Sequence, residues 1–264
     1  MSIPTDARVL VTGAASGLGL ALVRQLVDRG CHVLATDVAE TLPDSLAGLD
    51  RVTYRRLDVT SDVDWAGARD HVVETWGRLD VLFNNAGVAA GGRIELTEMD
   101  QWQWIVDVNL LGVVRGCRAF APLMVEQGSG HLVNTASAAG LVHMPTMSEY
   151  NAVKAGVVAL SETLFFELHD AGVHVTAVCP TFFRTNLAAS LRGKDEQAQQ
   201  TAEKLISRAK VGADEVAERV LDGVDHDRRL VVPNADGRAI YALKRHARPL
   251  YDRLVLRTLR GRSR

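Results

Sequence analysis

Short apolar segments rich in Val and Leu alternate with longer segments of helical periodicity along most of the chain. Segments of this composition without polar alternation are typical of strands buried on both faces of a sheet. The short segments are Arg8 to Thr12, His32 to Asp37, Val52 to Leu57, Leu79 to Asn84, His131 to Ser137, Val173 to Cys179 and Arg229 to Val232. Helical patterns lie at about 17–29, 62–76, 100–127, 149–171 and 213–225. This order predicts an α/β protein with a single doubly wound parallel sheet of about seven strands, right-handed crossovers and helices on both faces.

The length and the cysteines limit the class of protein. The chain has 264 residues, which fits one large α/β domain. Its apolar runs are shorter than the roughly 18 residues of a membrane span, and its start lacks the basic and apolar pattern of a signal peptide. Cys31, Cys117 and Cys179 are far apart, without a CxxC pair or a His at ligand spacing. We therefore expect a cytoplasmic protein with reduced core thiols and no metal site.

The end of the chain differs from the rest in charge. The net charge is -2, but the segment 238–264 holds nine Lys or Arg residues and one acidic residue, Asp252. Beyond Pro249, an apolar helical stripe and a basic stripe are predicted: the first is Leu250, Tyr251, Leu254, Val255 and Leu259, and the second is Arg253, Arg257, Arg260 and Arg264. The sequence thus divides into a domain at 1–237 and a basic amphipathic extension at 238–264.

Several roles for this extension fit its pattern. It could dock on its own domain, cover the pocket or a subunit contact, or lie on an anionic membrane surface. We expect it to cover the pocket or a subunit contact, because an apolar pocket needs something to exclude water; the membrane surface is the less favoured alternative. We expect no nucleic-acid binding, since no recognition motif or aromatic platform accompanies the charge.

A glycine-rich turn joins the first predicted strand to the first helix. Glycines at such a junction allow a tight turn and let the backbone approach a pyrophosphate at the helix N-terminus. The residues expected to contact the cofactor here are Gly13, Ser16, Gly17, Leu18 and Gly19. Asp37 ends the next strand, where a carboxylate can accept hydrogen bonds from the adenosine ribose. Since Asp37 would repel a 2′-phosphate and neither Ser16 nor Val38 is a cation, the pattern predicts NAD rather than NADP.

Polar residues follow the later strands in a recognisable order. Tyr150 and Lys154 are four residues apart at the start of a helix, which places both side chains on one face. Ser137 ends the preceding strand, Asn109 lies in an earlier helix, and the segment Asn84 to Gly87 follows the fourth strand. Together with the glycine turn, these residues resemble the short-chain dehydrogenase/reductase family over about residues 6–232. The resemblance implies a Rossmann-like sheet and an oxidoreductase.

The resemblance assigns a role to each of these polar residues. Tyr150 would be the general acid/base, and Lys154 would lower the pKa of its phenol and hold the nicotinamide ribose. Ser137 would donate a hydrogen bond to the substrate oxygen, and Asn109 would hold a water that links Lys154 to solvent. The other residues implied to bind the cofactor are Asp58, Val59, Asn85, Ala86, Gly87, Pro180 and Thr185. For Asp58 the alternative is a helix cap for the segment that begins near Asp62.

Two positions depart from the family pattern. Thr181 stands where the family commonly has Gly, which puts the nicotinamide contacts after Pro180 in doubt. After the last strand, Pro233 to Gly237 and the basic extension replace the tight turn of tetrameric members. We therefore expect a homodimer, with a tetramer as the alternative.

The substrate pocket is predicted from the segments that leave the strands beside the cofactor. The residues expected to line it are Ser137, Val142, His143, Met144, Tyr150, Phe182, Phe183 and Leu187. Most are apolar, which favours a lipophilic secondary alcohol or ketone over a sugar or a charged acid. His143 is the exception, and its alternative is a solvated loop histidine. The segment 182–210, apolar at first and then rich in Gln, predicts a lid over this pocket.

The sequence thus predicts an NAD-dependent alcohol dehydrogenase or ketone reductase. One alternative is a non-catalytic NAD-responsive binding or regulatory protein of the same fold, although such a protein needs no Ser137, Tyr150 and Lys154. The other is a carbonyl reductase that prefers NADP.

Overall fold

The strands form one parallel sheet whose carboxyl ends face the candidate site. A computed structural model describes residues 2–260, and side chains up to residue 258. Within this part of the chain seven strands are arranged in the order β3-β2-β1-β4-β5-β6-β7. Their bounds are β1 Arg8–Thr12, β2 His32–Asp37, β3 Val52–Arg56, β4 Val81–Asn84, β5 Gly130–Thr135, β6 Val173–Val178 and β7 Leu230–Val231. The strand order reverses between β1 and β4, and a crevice opens at such a point in doubly wound sheets.

Helices cover both faces of this sheet and close two apolar cores. The helices are α1 Gly17–Asp28, α2 Asp62–Trp76, α3 Met99–Val106, α4 Gly112–Gln127, α5 Ala139–Val142, α6 Ser148–Leu168, α7 Glu196–Ser207, α8 Ala213–Asp225, α9 Ala235–His246 and α10 Arg248–Arg260. On one face α1 and α8 pack around Leu22, Leu26 and Val220. On the other face α2, α4 and α6 pack around Trp65, Phe120 and Val157. The predicted doubly wound α/β fold is confirmed.

The predicted helix at 100–127 contains a break in its regular hydrogen bonding. A π-helical turn, Asp107–Leu111, separates α3 from α4. Such turns are rare and occur frequently at functional sites, and this one contains Asn109. The run Met99–Gln127 is long and apolar enough to span a membrane by composition alone, but its side chains Ile105, Val113 and Phe120 are buried in the cores of this domain.

The basic extension forms a helical hairpin that packs on the domain. Helix α9 begins at Ala235, slightly before the predicted boundary, and α10 begins next to Pro249. The predicted apolar stripe is divided: Tyr251 is buried, whereas Leu250 and Leu254 are 52% and 46% exposed. The side chains of Leu259, Arg260 and Arg264, which the sequence assigns to the two stripes, lie outside the described residues.

The three cysteines are free and buried, as the sequence predicts. Burial raises the pKa of both the Cys117 and the Cys179 thiols to about 12. A thiol that is neutral at physiological pH is a weak nucleophile. The cysteines therefore act as small apolar side chains of the core.

A buried histidine couples the stability of the sheet to pH. The Nε2 atom of His131 lies 2.8 Å from the Thr176 hydroxyl oxygen, which itself donates to the Arg228 carbonyl. Burial, and next the neighbouring His174, lower the pKa of His131 to about 3. Between pH 6.5 and about 3 the unfolded chain therefore binds a proton that the folded chain does not, so this contribution to stability is lost as the pH falls.

We expect the free energy of unfolding to fall with decreasing pH in that window, by at most about 1.4 kcal/mol per pH unit from this group. His131→Gln keeps a donor near the position of Nε2 and should flatten the slope. Urea titrations at several pH values between 6.5 and 4.5 measure it, with the exposed His246→Gln as control. An unchanged slope in His131→Gln would contradict this assignment.

Candidate active site

The glycine turn after β1 brings two backbone segments into close contact. Gly13 has φ +64°, in the left-handed region, and a Cβ there would lie 2.8 Å from the Ala86 Cα atom. A Cβ on Gly19 would overlap the Gly13 carbonyl oxygen and approach the Asn85 amide nitrogen to 2.7 Å. Gly19 does not line the cavity described below. It lets α1 pack against the turn, whereas Gly13, Ser16, Gly17 and Leu18 face the cavity.

Asp37 is fixed at the end of β2, beside the glycine turn. Its Oδ2 atom accepts a hydrogen bond from the Ala15 amide at 2.9 Å, and its Oδ1 atom accepts one from the Val38 amide at 2.8 Å. The carboxylate lines the cavity, and the Val38 side chain is 59% exposed. The position therefore presents a negative charge to the adenosine end of a dinucleotide.

Asp58 and Val59 line the same end of the cavity after β3. Asp58 accepts two hydrogen bonds from Thr60, from its amide at 2.9 Å and its hydroxyl at 2.7 Å. The alternative role of Asp58 as a helix cap is wrong, because Ser61 caps α2 by accepting from the Asp64 amide. Ser61 immediately precedes the first residue of α2, where an N-cap must lie, whereas Asp58 is four residues before that first residue.

Ser137, Tyr150 and Lys154 meet at the cavity wall where β5 and α6 come together. The Lys154 ammonium donates to the Thr135 carbonyl at 2.8 Å and lies 5.8 Å from the centroid of the Tyr150 ring. Burial lowers the pKa of Lys154 to about 8. Burial also raises the pKa of Tyr150 to about 12, against a smaller opposing effect of its hydrogen bond with Ser137.

The electrostatics of this group differ from the sequence-based expectation. Lys154 was expected to lower the pKa of the phenol, yet in this structure the phenol is harder to ionise than in water. The physical reason is that burial disfavours the charged form of both groups, and that Lys154 is directed to Thr135. Protein side chains alone therefore leave the phenol neutral at physiological pH.

Asn109 is buried at the π-helical turn and bonds to the loop after β4. Its Oδ1 atom accepts from the Val88 amide and its Nδ2 atom donates to the Val88 carbonyl, both at 2.8 Å. That Asn109 holds a water stays a prediction. Its side-chain amide is engaged with Val88 and does not line the cavity. The side chain instead fixes the loop that contains Gly87, where a Cβ would lie 3.6 Å from the Lys154 nitrogen.

A single cavity of about 1240 Å³ extends from Asp37 and the glycine turn to Ser137, Tyr150 and Lys154. It exceeds the ~300–1000 Å³ of an ordinary ligand pocket, as a site for both a dinucleotide and a substrate requires. Asn85, Ala86 and Gly87 line its middle, and Pro180 and Thr185 line its far side. The space beside the glycine turn and the carboxylate of Asp37 fit a nicotinamide dinucleotide. The residues that line this space would hold it.

The substrate end of the cavity contains most of the predicted residues. Val142, Met144, Phe182, Phe183 and Leu187 line it together with Ser137 and Tyr150. Phe183 belongs mainly to the core, where it is 9% exposed. His143 is a wrong prediction: it has φ +50°, and its Nδ1 atom lies 2.8 Å from the Lys244 nitrogen, away from the cavity.

Sequence reasoning missed other residues at this end. Trp104 lies beneath Arg192, whose guanidinium carbon is 4.3 Å from the centroid of the Trp104 ring. Ile240 and Thr258 also line the cavity, from α9 and α10. The sequence predicts that the basic extension covers the pocket or a subunit contact, but no local signal shows that Ile240 and Thr258 are the residues that line the cavity, or that Trp104 does.

The sheet order, the glycine turn and the placement of Ser137, Tyr150 and Lys154 define an oxidoreductase of the Rossmann type. The model of the short chain dehydrogenase family matches residues 7–196, and the chain belongs to that family. A 2-(R)-hydroxypropyl-CoM dehydrogenase of Xanthobacter autotrophicus is 34% identical over 221 residues, 80% of this chain and 88% of the relative. A D-beta-hydroxybutyrate dehydrogenase of Rhizobium meliloti is 36% identical over 185 residues, 67% of this chain and 72% of the relative.

Solved structures agree with this assignment. A short chain dehydrogenase/reductase from Burkholderia phymatum, in complex with NAD, superposes with a TM-score of 0.87 at 32% identity. The match covers 95% of this chain and 96% of the other. The predicted family is therefore confirmed.

Replacing Gly19 tests the close packing of the glycine turn. Gly19→Ala places a methyl group against the Gly13 carbonyl, so the turn must shift and dinucleotide binding should weaken by at least about tenfold, the factor for roughly 1.4 kcal/mol. Titration calorimetry with NAD measures the affinity. Gly156→Ala is the matched control, because a Cβ there meets only leucine side-chain atoms at 3.2 Å or more. Equal affinity of both variants and the wild type would refute the packing argument.

Proposed function

We propose that this protein is an NAD-dependent dehydrogenase that exchanges a hydride between the cofactor and a lipophilic secondary alcohol or its ketone. The observation that carries the proposal is the convergence of Ser137, Tyr150 and Lys154 on one wall of a cavity whose substrate end is apolar. Each of these side chains has a distinct task in the transfer.

Tyr150 is the proposed acid/base, because it lines the cavity beside Ser137 and no histidine among the described residues lines it. The carboxylates that line the cavity are engaged with neighbouring residues: Asp37 accepts from Val38, Asp58 from Thr60 and Asp236 from Thr181. In oxidation its phenolate accepts the alcohol proton as the hydride leaves the substrate carbon, and in reduction the neutral phenol donates its proton to the carbonyl oxygen. Ser137 donates to the same oxygen and stabilises the charge that develops on it. When bound, the oxidised nicotinamide supplies the hydride-accepting carbon and a positive charge.

Lys154 is the proposed link between the phenol and the cofactor. Its pKa of about 8 leaves it largely protonated at physiological pH. Its ammonium lies close to the position that a Gly87 side chain would occupy, which places it between the phenol and the middle of the cavity. A cation there stabilises the phenolate as the proton leaves.

The substrate class follows from the chemistry of the cavity wall. Val142, Met144, Phe182 and Leu187 offer apolar surface, and their burial by a ligand is favourable by roughly 25 cal/mol per Å². The names of the two relatives describe dehydrogenases, which supports an alcohol as one of the substrates. A panel of secondary alcohols of increasing chain length, scored by NADH absorbance, tests the proposal.

Removing the phenol hydroxyl tests its role in proton transfer. Tyr150→Phe keeps the ring and deletes the acid/base group, which typically contributes about 10²- to 10⁴-fold. Turnover should fall by that factor while the affinity for NAD changes little. Tyr241→Phe, which removes the same atom from a side chain that does not line the cavity, is the control. Near-normal turnover by Tyr150→Phe would show that another group transfers the proton.

Changing the charge beside the adenosine ribose tests the preference for NAD. Asp37→Asn removes the negative charge but keeps an oxygen that can accept from Ala15, and Val38→Arg adds a cation that suits a phosphate. The ratio of kcat/KM for NADP to that for NAD should rise roughly 10- to 100-fold in the double variant, as expected for one charge-assisted hydrogen bond. A wild type that already prefers NADP would overturn the role given to Asp37.

A further inference from the structure

The short helix α5 follows Ser137 and needs partners for its last carbonyl groups. It has only four residues, Ala139–Val142, and it ends at His143 in a left-handed conformation. The last carbonyls of a helix have no partner within it. How they are satisfied determines where the segment 139–147 lies, and this segment separates Ser137 from Tyr150.

Three side chains satisfy these carbonyls one after another. His143 Nε2 lies 3.1 Å from the Gly140 oxygen, and Lys244 Nζ donates to the Leu141 oxygen at 2.5 Å. The Tyr251 hydroxyl donates to the Val142 oxygen. Lys244 also contacts His143 Nδ1 at 2.8 Å, so a neutral His143 with its proton on Nε2 fits both of its contacts.

Two of the three side chains come from the C-terminal hairpin, α9 and α10. They reach across more than 100 residues of sequence to the segment before Tyr150. Tyr251 is 4% exposed, although it lies in the basic extension. The hydroxyl of a buried tyrosine requires a partner, and the Val142 carbonyl supplies it.

The hairpin is attached at a second place, beside the cofactor end of β6. The Thr181 amide donates to Asn234 Oδ1 at 3.1 Å, and the Thr181 hydroxyl donates to Asp236 Oδ1 at 3.2 Å. Gly237 packs under the same residue, since a Cβ there would lie 2.6 Å from Thr181 Cγ2. The two departures from the family pattern, Thr181 and the altered end of the chain, thus contact each other.

The hairpin also faces the substrate end of the cavity. Ile240 and Thr258 line it, and the Tyr251 hydroxyl lies 3.8 Å from the sulfur of Met144, another lining residue. Ile240 is half-buried and packs against the core. Its exposed part is therefore available to an apolar ligand.

We propose that the α9–α10 hairpin forms one side of the substrate pocket and determines which lipophilic alcohol the enzyme accepts. Ile240 contacts the apolar chain of the substrate. Lys244 and Tyr251 are positioning residues that hold the segment 139–147 through the carbonyls of α5. This inference rests on the proposed dehydrogenase activity for its substrate measurements, and one of its tests is independent of activity.

The independent test is amide hydrogen exchange of the segment 139–147. The variants are Lys244→Met, Tyr251→Phe and the two combined, with Arg245→Met as a control that removes the same charge from an exposed position of α9. We expect exchange in this segment to rise about tenfold in the combined variant, as for loss of a hydrogen bond, with no change in Arg245→Met. Lys244→Arg keeps a donor, so exchange in this segment should stay close to that of the wild type, unlike in Lys244→Met. Unchanged exchange in the combined variant, or equal rises throughout the sheet, would overturn the positioning role.

The same variants separate positioning from general stability in kinetic measurements. With a long-chain secondary alcohol, we expect the combined variant to show a KM about tenfold higher and an unchanged affinity for NAD. A loss of kcat and NAD affinity in parallel with a lower Tm would show a merely structural role. If the wild type oxidises no secondary alcohol, the proposed function is wrong, whereas the hydrogen-exchange measurement still tests the positioning role of Lys244 and Tyr251.

A size change at Ile240 tests its contact with the substrate. Ile240→Trp should lower kcat/KM for a ten-carbon 2-alcohol at least about tenfold relative to 2-butanol, and Ile240→Ala should shift the ratio toward the long alcohol. Leu250→Trp, on the exposed side of α10, is the matched control and should leave the ratio unchanged. If Ile240→Trp and Leu250→Trp give the same ratio, the hairpin does not determine chain-length specificity.

Discussion

The site depends on how the chain crosses the point where the strand order reverses. There Thr12, at the end of β1, accepts hydrogen bonds on its hydroxyl from the amides of Asn85 and Ala86 at 2.9 and 3.0 Å. The Asn85 side chain donates back to the Thr12 carbonyl at 2.9 Å. These bonds fix the separation of the loops after β1 and β4. Because the two loops diverge from this point, a crevice remains between them, and the dinucleotide residues line it.

A second set of buried polar contacts ties α6 to the sheet. Asn84 donates to the Asn134 side-chain oxygen at 2.9 Å, and Asn134 donates to the Ser161 hydroxyl at 3.0 Å. These residues belong to β4, β5 and α6, so the chain of bonds connects the strand before Ser137 with the helix that carries Tyr150 and Lys154. Buried donors and acceptors that are paired in this way favour one arrangement of the elements, since a shift would break these bonds, although the Asn84 Oδ1 atom is itself buried without a hydrogen-bond partner among the described residues.

The same burial acts in opposite directions on the two ionisable groups of the site. It raises the pKa of the Tyr150 phenol and lowers that of the Lys154 ammonium, so at physiological pH the phenol is neutral while the lysine is still largely protonated. Accepting a proton from an alcohol requires the phenolate, and a positive charge near it, such as that of Lys154, stabilises this form.

The sequence by itself determined the sheet, the glycine turn, the position of Asp37 at the end of β2, and the placement of Tyr150 and Lys154 on one face of a helix. These features depend on local rules: continuous apolar runs for the buried strands, period-3.6 burial for the helices, the conformational freedom of glycine at Gly13, and the spacing of one helical turn. Tertiary structure alone decided that Ile240 lines the substrate end of the cavity, that Asn109 bonds to Val88, that His143 turns toward Lys244, and that Tyr251 bonds to Val142. Each of these contacts joins residues that are distant in sequence, and in the last cases they lie about 100 residues apart. Local pattern predicts that a helix will form and which stripe is apolar, but the surface that buries the stripe is fixed only when the whole chain has folded.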